Sequence, residues 1–266
     1  MANLKENEIL DIYHHAINIS RKAGDYIARN ASESLDIDYK GRANMVTQVD
    51  KKSEEILQEE ITSRFPHHKI LGEEFTDKDT DSELKWIIDP IDGTTNFVHG
   101  YPVVAVSIGI EYDNEIIIGV VNNPLLNEIF TAIKGHGSYY NGKRIEVSKV
   151  KKLEEALLAT GFPYKLNDHF YKNMELFKKF YENSQGVRRA GSAAIDLCYV
   201  ACGRLDGFWE YDLNPWDVSA GSLIVKEAGG RLSSFSSEKF SPYADEILAT
   251  NKFLMEPMQK LIQENL

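Results

Sequence analysis

Residues Trp86 to Gly100 read WIIDPIDGTTNFVHG. Trp86, Ile87 and Ile88 run straight into Asp89, and Asp92, Gly93, Thr94, Thr95 and Asn96 follow. The apolar run predicts a buried strand. It ends in two carboxylates and two hydroxyls, with Pro90 and Gly93 among them. Capping a following helix needs one acid only. A second acid three places away therefore points to chemistry at the strand's end.

The spacing narrows that chemistry. Aspartyl-phosphate phosphatases use Asp-x-Asp-Gly-Thr, in which acids at i and i+2 of an extended segment share a face. Here Pro90 and Ile91 both intervene between the acids. A calcium loop would continue Asp-x-Asp-x-Asp-Gly, and Asn96 and Phe97 do not continue it. Further acids stand at predicted element ends: Asp50, Glu73, Glu74, Glu210 and Asp217. If those ends converge, several carboxylates share one small volume and raise one another's pKa. A hard divalent cation relieves that repulsion. A donor set of oxygen alone, without His or Cys, favours magnesium or manganese over zinc. Gly93 admits close backbone approach, and a helix opening at about Gly93 to Asn96 would turn free N–H groups toward a phosphate. The residues alone indicate metal-dependent phosphate chemistry. Read singly, Asp217 is a helix cap, Thr94 and Thr95 are turn residues, and Glu73 and Glu74 say little.

Outward from this stretch, helical periodicity predicts a first helix from about Glu6 to Ala31 and a second from about Asp50 to Phe65, with Asp50 as a cap or first-turn acid. Residues 32–45 between them read as a loop or a strand pair with a mobile tip. HHKILG predicts a short strand ending at Gly72. After Gly100 the chain reads as antiparallel strands turned at Asp113-Asn114, at NNP and at Asn141-Gly142. LLATGFP predicts a strand and turn, NDHFYKNMELFKKFYENSQ a helix, and the remainder alternating helices and short strands. The expected organisation is an N-terminal α+β half, 1–150, carrying most metal ligands, and a C-terminal α/β half, 151–266, completing the site in one compact unit.

Composition bounds the partners. The 266 residues include 30 basic and 41 acidic side chains, a net charge of -11 that does not favour nucleic-acid binding. Hydrophobic content of 42% supports a sizeable core. Cys198 and Cys202, four apart, read as small buried residues on one helix face rather than a disulfide or a zinc site. No apolar run approaches the roughly 20 residues of a membrane span, and the first residues lack a basic-then-apolar leader. The expectation is a cytoplasmic protein without membrane or nucleic-acid partners. Trp86, Trp209 and Trp216 read as core anchors, and His99 as a packing or hydrogen-bonding residue.

With these residues assembled, the chain resembles the inositol monophosphatase family of magnesium-dependent, lithium-sensitive phosphomonoesterases. The likeness lies in VTQVD (Val46–Asp50), GEE (Gly72–Glu74), the opening stretch, GSAAIDLCYVACGRLDGFWE (Gly191–Glu210) and PWDVSAGSLIVKEAGG (Pro215–Gly230). These run in order through nearly the whole chain. The resemblance implies an α/β (α+β) fold, the αβαβα layered sandwich of the inositol monophosphatase/fructose bisphosphatase type, as a homodimer. It implies two to three Mg2+ per active site. Glu73, Asp89 and the carbonyl of Ile91 would hold the first; Asp89, Asp92 and Asp217 the second; a third, weaker ion would lie near Glu73. Thr94, paired with Asp50 and helped by Glu73, would orient the attacking water without a covalent intermediate. Backbone N–H groups of Gly93 and Thr94 would hold the phosphate. Gly191, Ser192, Ala193 and Glu210 would contact the alcohol. Lys40 falls in a basic loop near the site, as screen for the phosphate or as solvated residue. Arg188 is read as structural or at the dimer contact, and Arg189 as a second cation suited to an extra phosphate or as an exposed or interface residue. The implied substrate is a small phosphorylated polyol or nucleotide, first inositol 1-phosphate, with fructose 1,6-bisphosphate, adenosine 3′,5′-bisphosphate and the 2′-phosphate of NADP as alternatives. A protein that keeps the fold as a binding or regulatory module without catalysis is the alternative of another class, and the intact acid set opposes it.

Overall fold

The structure, a computed structural model, describes residues 4–31, 33, 35–41, 45–75, 78–237 and 239–266. In chain order the elements begin with α1 (Glu6–Asn30), β1 (Ile37–Tyr39), β2 (Met45–Thr47), α2 (Gln48–Arg64), β3 (Lys69–Gly72), β4 (Leu84–Asp92) and α3 (Thr94–Val98). There follow β5 (Ala105–Tyr112), β6 (Glu115–Asn123), β7 (Glu128–Ile133), β8 (Gly137–Tyr140) and β9 (Lys143–Ile145). The second half holds β10 (Leu157–Thr160), α4 (Asp168–Asn183), β11 (Gly186–Arg188), α5 (Ala193–Ala201) and β12 (Gly207–Tyr211). It closes with α6 (Pro215–Glu227), β13 (Arg231–Ser233), β14 (Glu246–Thr250) and α7 (Met255–Asn265).

β3 to β9 form a seven-stranded sheet in sequence order. Only its β3–β4 pair is parallel; β4 to β9 form a meander. Left-handed Asp113, Asn114, Asn141 and Gly142 make its two tight turns, as the turn signals require. The second sheet has the order β11-β10-β12-β14-β13, with β10 parallel to both its neighbours and β14 antiparallel to both of its own.

Three apolar cores separate the layers. α1 buries Ile12, Ala16, Ile19, Ala23 and Ile27, spaced by three or four, against Trp86, Ile88, Ile108 and Ile118 of the first sheet, together with α2. α5 and α6 fill the space between the sheets. α4 and α7 cover the second sheet, with Phe180 of α4 packed on Trp209 of β12. The order helix, sheet, helix, sheet, helix is the αβαβα sandwich. The first sheet ends at Ile145 and the second begins at Leu157, and the middle layer belongs to both.

Boundaries shift for local reasons. α2 opens at Gln48, because the Thr47 hydroxyl accepts from the N–H groups of Val49 and Asp50 and takes the N-cap. Asp50 thereby becomes the third helical residue rather than the cap. The segment read as a loop or strand pair is the two-stranded β1–β2 hairpin, and its tip, 42–44, lies outside the described residues. α6 reaches the first sheet at Gly119, where a Cβ would stand 2.6 Å from the carbonyl oxygen of Ala220. No helix among the described residues is long and apolar enough to cross a membrane.

Candidate active site

β4 brings two acids to one place by breaking its own regularity. Asp89 pairs with Ser107 and Asp92 with Ala105, so three steps along β4 match two along β5. In an unbroken strand, residues i and i+3 face opposite sides. The extra residue of a bulge turns Asp92 back to the side of Asp89, and Pro90 sits where the ladder needs no donor. The chain then turns through Gly93 at φ +98°, where a Cβ would stand 2.9 Å from the carbonyl of Val103. Only glycine accepts both the conformation and the contact.

Asp217, from the first turn of α6, joins them. Asp89, Asp92 and Asp217 each bring a carboxyl oxygen within 4.8 Å of the others. Each also has one oxygen fixed by the protein. Asp89 Oδ1 accepts the Ile91 N–H at 2.9 Å, and Asp217 Oδ2 the Asn214 N–H at 2.6 Å. Asp92 Oδ2 accepts the Ser192 hydroxyl and the Ala194 N–H, both at 2.7 Å. Burial, then the neighbouring carboxylates, pushes Asp89 and Asp217 well above the ordinary carboxylate range. Burial pushes Asp92 up to about 6, against the hydrogen bonds from Ser192 and Ala194 that hold it down. An oxygen-only cluster with this mutual repulsion has the donor chemistry of a hard divalent cation site, so the residues fit magnesium.

Glu73 lines the same cavity but lies outside the three-aspartate group. Its Oε1 is 3.3 Å from Lys40 Nζ, which also stands 2.7 Å from Glu74 Oε1. Glu74 thus faces Lys40. Burial pushes Glu74 up to about 6. The loop carrying both acids is held from beneath by Glu54, whose carboxylate accepts the N–H groups of Glu74 (2.8 Å) and Phe75 (3.1 Å). Sequence reading passed over Glu54; its position four residues after Asp50, on the buried face of α2, was the available signal.

Thr94 Oγ1 donates to Asp50 Oδ1 at 2.6 Å and lies 3.2 Å from the Ile91 carbonyl. Asp50 Oδ2 accepts from the Thr47 N–H at 2.8 Å and the Thr47 hydroxyl at 2.5 Å. Asp50 is buried, and that burial raises its pKa against these bonds.

The cavity measures about 120 Å3. Ile91, Gly93, Thr94, Gly191, Ala193, Glu210 and Arg189 line it. Ser192 is also there, but its hydroxyl is engaged with Asp92 rather than open to an alcohol. Glu210 lies on Gly161, where a Cβ would stand 2.1 Å from Glu210 Oε1. Arg188 is exposed and bonds the Val187 carbonyl.

Several lining residues were not foreseen. Tyr164, after the strand-and-turn GFP, reaches the cavity, and desolvation plus the charges of Asp92, Glu73 and Asp217 push its phenol to about 12. Asp196 of α5 lines it too. Trp86 and Trp209 are fully buried, but Trp216 is half-buried on the cavity wall and is not a core anchor: it is the second residue of α6, whose N-terminus opens on the site. His99 is the exposed C-cap of α3. Cys198 is buried in α5 and Cys202 caps its end, both as free thiols.

A model of the inositol monophosphatase family matches residues 9–266. The Arabidopsis thaliana protein named phosphatase IMPL1, chloroplastic, is 43% identical over 246 residues, which are 90% of this chain and 66% of that protein. The Vibrio cholerae protein named Nus factor SuhB is 40% identical over 94% of this chain and 95% of its own. An inositol monophosphatase of Dictyostelium discoideum is 39% identical over 97% and 98%. Among solved structures, the extragenic suppressor protein suhB from Bartonella henselae superposes with a TM-score of 0.91 at 35% identity, covering 96% of this chain and all of that one.

Proposed function

This chain belongs to the inositol monophosphatase family and is a phosphomonoesterase; from that premise we propose that it hydrolyses small phosphorylated polyols, first inositol 1-phosphate, with two to three Mg2+ per site. The observation that carries the reading is the meeting of Asp89, Asp92 and Asp217 carboxyl oxygens within 4.8 Å, beside the bonded Thr94–Asp50 pair.

Asp89, Asp92, Asp217, Glu73 and the Ile91 carbonyl would hold the cations. Bound there, Mg2+ would neutralise phosphate charge and make water more acidic. The chain's own residues do the rest. Thr94 gives its hydrogen to Asp50, so its lone pairs are left to accept a hydrogen from the attacking water and aim it. A Glu73 carboxyl oxygen is the second acceptor for that water. Backbone N–H groups of Gly93 and Thr94 would hold the phosphate. Gly191, Ala193 and Glu210 would hold the alcohol, and Lys40 would sit over the phosphate beside Glu73 and Glu74. The protein forms no covalent bond to the phosphoryl group. The same reading makes the enzyme a lithium-sensitive, cytoplasmic homodimer.

Arg189 favours a second reading of the substrate. It lines the cavity and makes no ion pair among the described residues. A free guanidinium suits a second anionic group, as in fructose 1,6-bisphosphate, adenosine 3′,5′-bisphosphate or NADP. The name of the Vibrio relative raises a binding or regulatory role beside or instead of catalysis; the complete acid set supports catalysis.

Phosphate release from these four substrates, with and without Mg2+, tests the proposal. A kcat/KM preference for inositol 1-phosphate that disappears in EDTA is the expected result. Preference for a doubly anionic substrate would move the assignment to the second reading. No release from any of them would leave the regulatory role.

A further inference from the structure

Asp196 is 2% exposed and sits in the first turn of α5. Its N–H is bonded to the Ser192 carbonyl at 3.0 Å, and Ser192 already caps the helix. Its carboxyl has no hydrogen bond or ion pair with any described residue. Asp196 Oδ1 is the one buried side-chain oxygen or nitrogen among the described residues left without a partner. Buried polar groups are nearly always paired, and leaving one unpaired is expensive. Neither helix capping nor an ion pair to Arg189 explains this one.

Its position does. Asp196 lines the cavity of about 120 Å3 that Glu210 also lines. Glu210 is likewise buried and has no hydrogen bond from a described side chain. Two carboxyls without hydrogen-bond partners among the described residues therefore line one cavity. We infer that Asp196 is a specificity-determining residue: its carboxyl pairs with a hydroxyl of the leaving alcohol, beside Glu210, so that the site selects phosphate esters of polyols over esters of alcohols that carry no further hydroxyl. This rests on the proposed function. A site built to bond a hydroxyl discriminates strongly against an analogue lacking it, because its own polar group is then left unpaired.

The test compares wild-type protein, Asp196→Leu and Asp196→Asn on inositol 1-phosphate and phenyl phosphate, with Mg2+. Leucine has similar bulk and no hydrogen-bonding atom. Asp196→Leu should lower kcat/KM for inositol 1-phosphate about tenfold more than for phenyl phosphate, the factor of a single hydrogen bond. Asparagine keeps an acceptor and a donor at the same place and should restore the wild-type ratio to within about threefold. Melting curves check that both variants fold; losing an unpaired buried carboxyl should not lower Tm for leucine. An equal fall on both substrates would make Asp196 a packing residue, and an unchanged ratio in Asp196→Leu would remove it from the alcohol wall; either overturns the inference while the proposed function stands. Wild-type protein releasing phosphate from neither ester would overturn the proposed function itself, and this inference with it.

Discussion

Asp92→Asn should make the metal-free protein more stable while removing its activity. Asp92 is 9% exposed, and burial pushes it up to about 6 in the folded chain. In the unfolded chain an aspartate titrates near 3.9. The difference of about 2 units corresponds to about 3 kcal/mol. Below about pH 4 the group is protonated in both states and the penalty is absent. Between about pH 4 and 6 the unfolded chain ionises while the folded one holds its proton, so stability falls as pH rises. Above about pH 6 the full penalty applies. Asparagine carries none of it. Its carbonyl can still accept from Ser192 and Ala194, and its amide nitrogen replaces a carboxylate oxygen facing Asp89 and Asp217. For a chain of this size about 3 kcal/mol is a Tm rise of about 6 °C. The assay is thermal melting in EDTA at pH 7.5 and pH 4 for both proteins, repeated with Mg2+. The expected pattern is a higher Tm for the variant at pH 7.5, convergence at pH 4, and a larger gain from Mg2+ for the wild-type chain. A variant no more stable than wild type at pH 7.5 in EDTA, or a Tm difference independent of pH, would refute the account of Asp92 as a carboxylate whose burial disfavours its charge.

Asp89→Asn should reduce turnover by at least the roughly hundredfold that lesser disturbances of metal sites produce, with circular dichroism unchanged; near-normal turnover would remove Asp89 from the site. Thr94→Ala should lower kcat by about 10²-fold with little change in KM if Thr94 aims the water, and an effect confined to KM would refute that role. Gly161→Ala puts a Cβ 2.1 Å from Glu210 Oε1, so the carboxyl must move; kcat/KM for inositol 1-phosphate should fall about tenfold, as for one lost hydrogen bond, and an unaltered value would show that Glu210 does not touch the alcohol. Lithium at millimolar concentration should inhibit phosphate release, and insensitivity would count against the proposed metal arrangement.

How far the sequence could be read depended on whether a residue's neighbours were local. The strand at Trp86–Ile88, the α1 stripe and the turns at Asp113-Asn114 and Asn141-Gly142 follow from periodicity and backbone preference, and the structure holds them. The side to which Asp92 points was not legible, because it depends on a slip against Ser107 and Ala105 on β5. α5 is buried on nearly every side, so its sequence has no polar face against which Asp196 could stand out. Tyr164 follows a short strand whose placement beside Glu210 arises from the β10–β12 pairing, a contact between segments nearly fifty residues apart. Trp216 misled by its size: a large aromatic is core by default, and only the position of the α6 N-terminus puts it on the cavity wall.

Reading Asp217 as a helix cap and reading it as a metal ligand posed a false choice. Asp50 and Asp217 are each the third residue of a helix, and each accepts the N-cap backbone N–H in a capping box. Asp92 belongs to a strand, yet its Oδ2 accepts the N-cap hydroxyl and an N-terminal N–H of α5. The positive ends of α2, α5 and α6 therefore all meet carboxylates of this site. A carboxylate has two oxygens, and a cap uses one. Capping fixes the group's rotation and favours its charged form, against the burial and mutual repulsion that favour the neutral one. A cation site needs both effects at once: charge retained in a dry place, and a second oxygen held in a fixed direction. The helix ends thus keep the cluster ionised enough for a metal to displace the remaining protons, and breaking a cap should weaken magnesium binding without touching a ligand. Ser192→Ala removes the hydroxyl bond to Asp92 Oδ2, and with it the α5 cap on the Ile195 N–H, and leaves the Ala194 N–H in place. Half-maximal activation should require more Mg2+, by up to the 10- to 100-fold typical of residues behind a metal ligand, while the maximal rate at saturation changes less. An unchanged Mg2+ requirement would show that the cap contributes to helix stability alone.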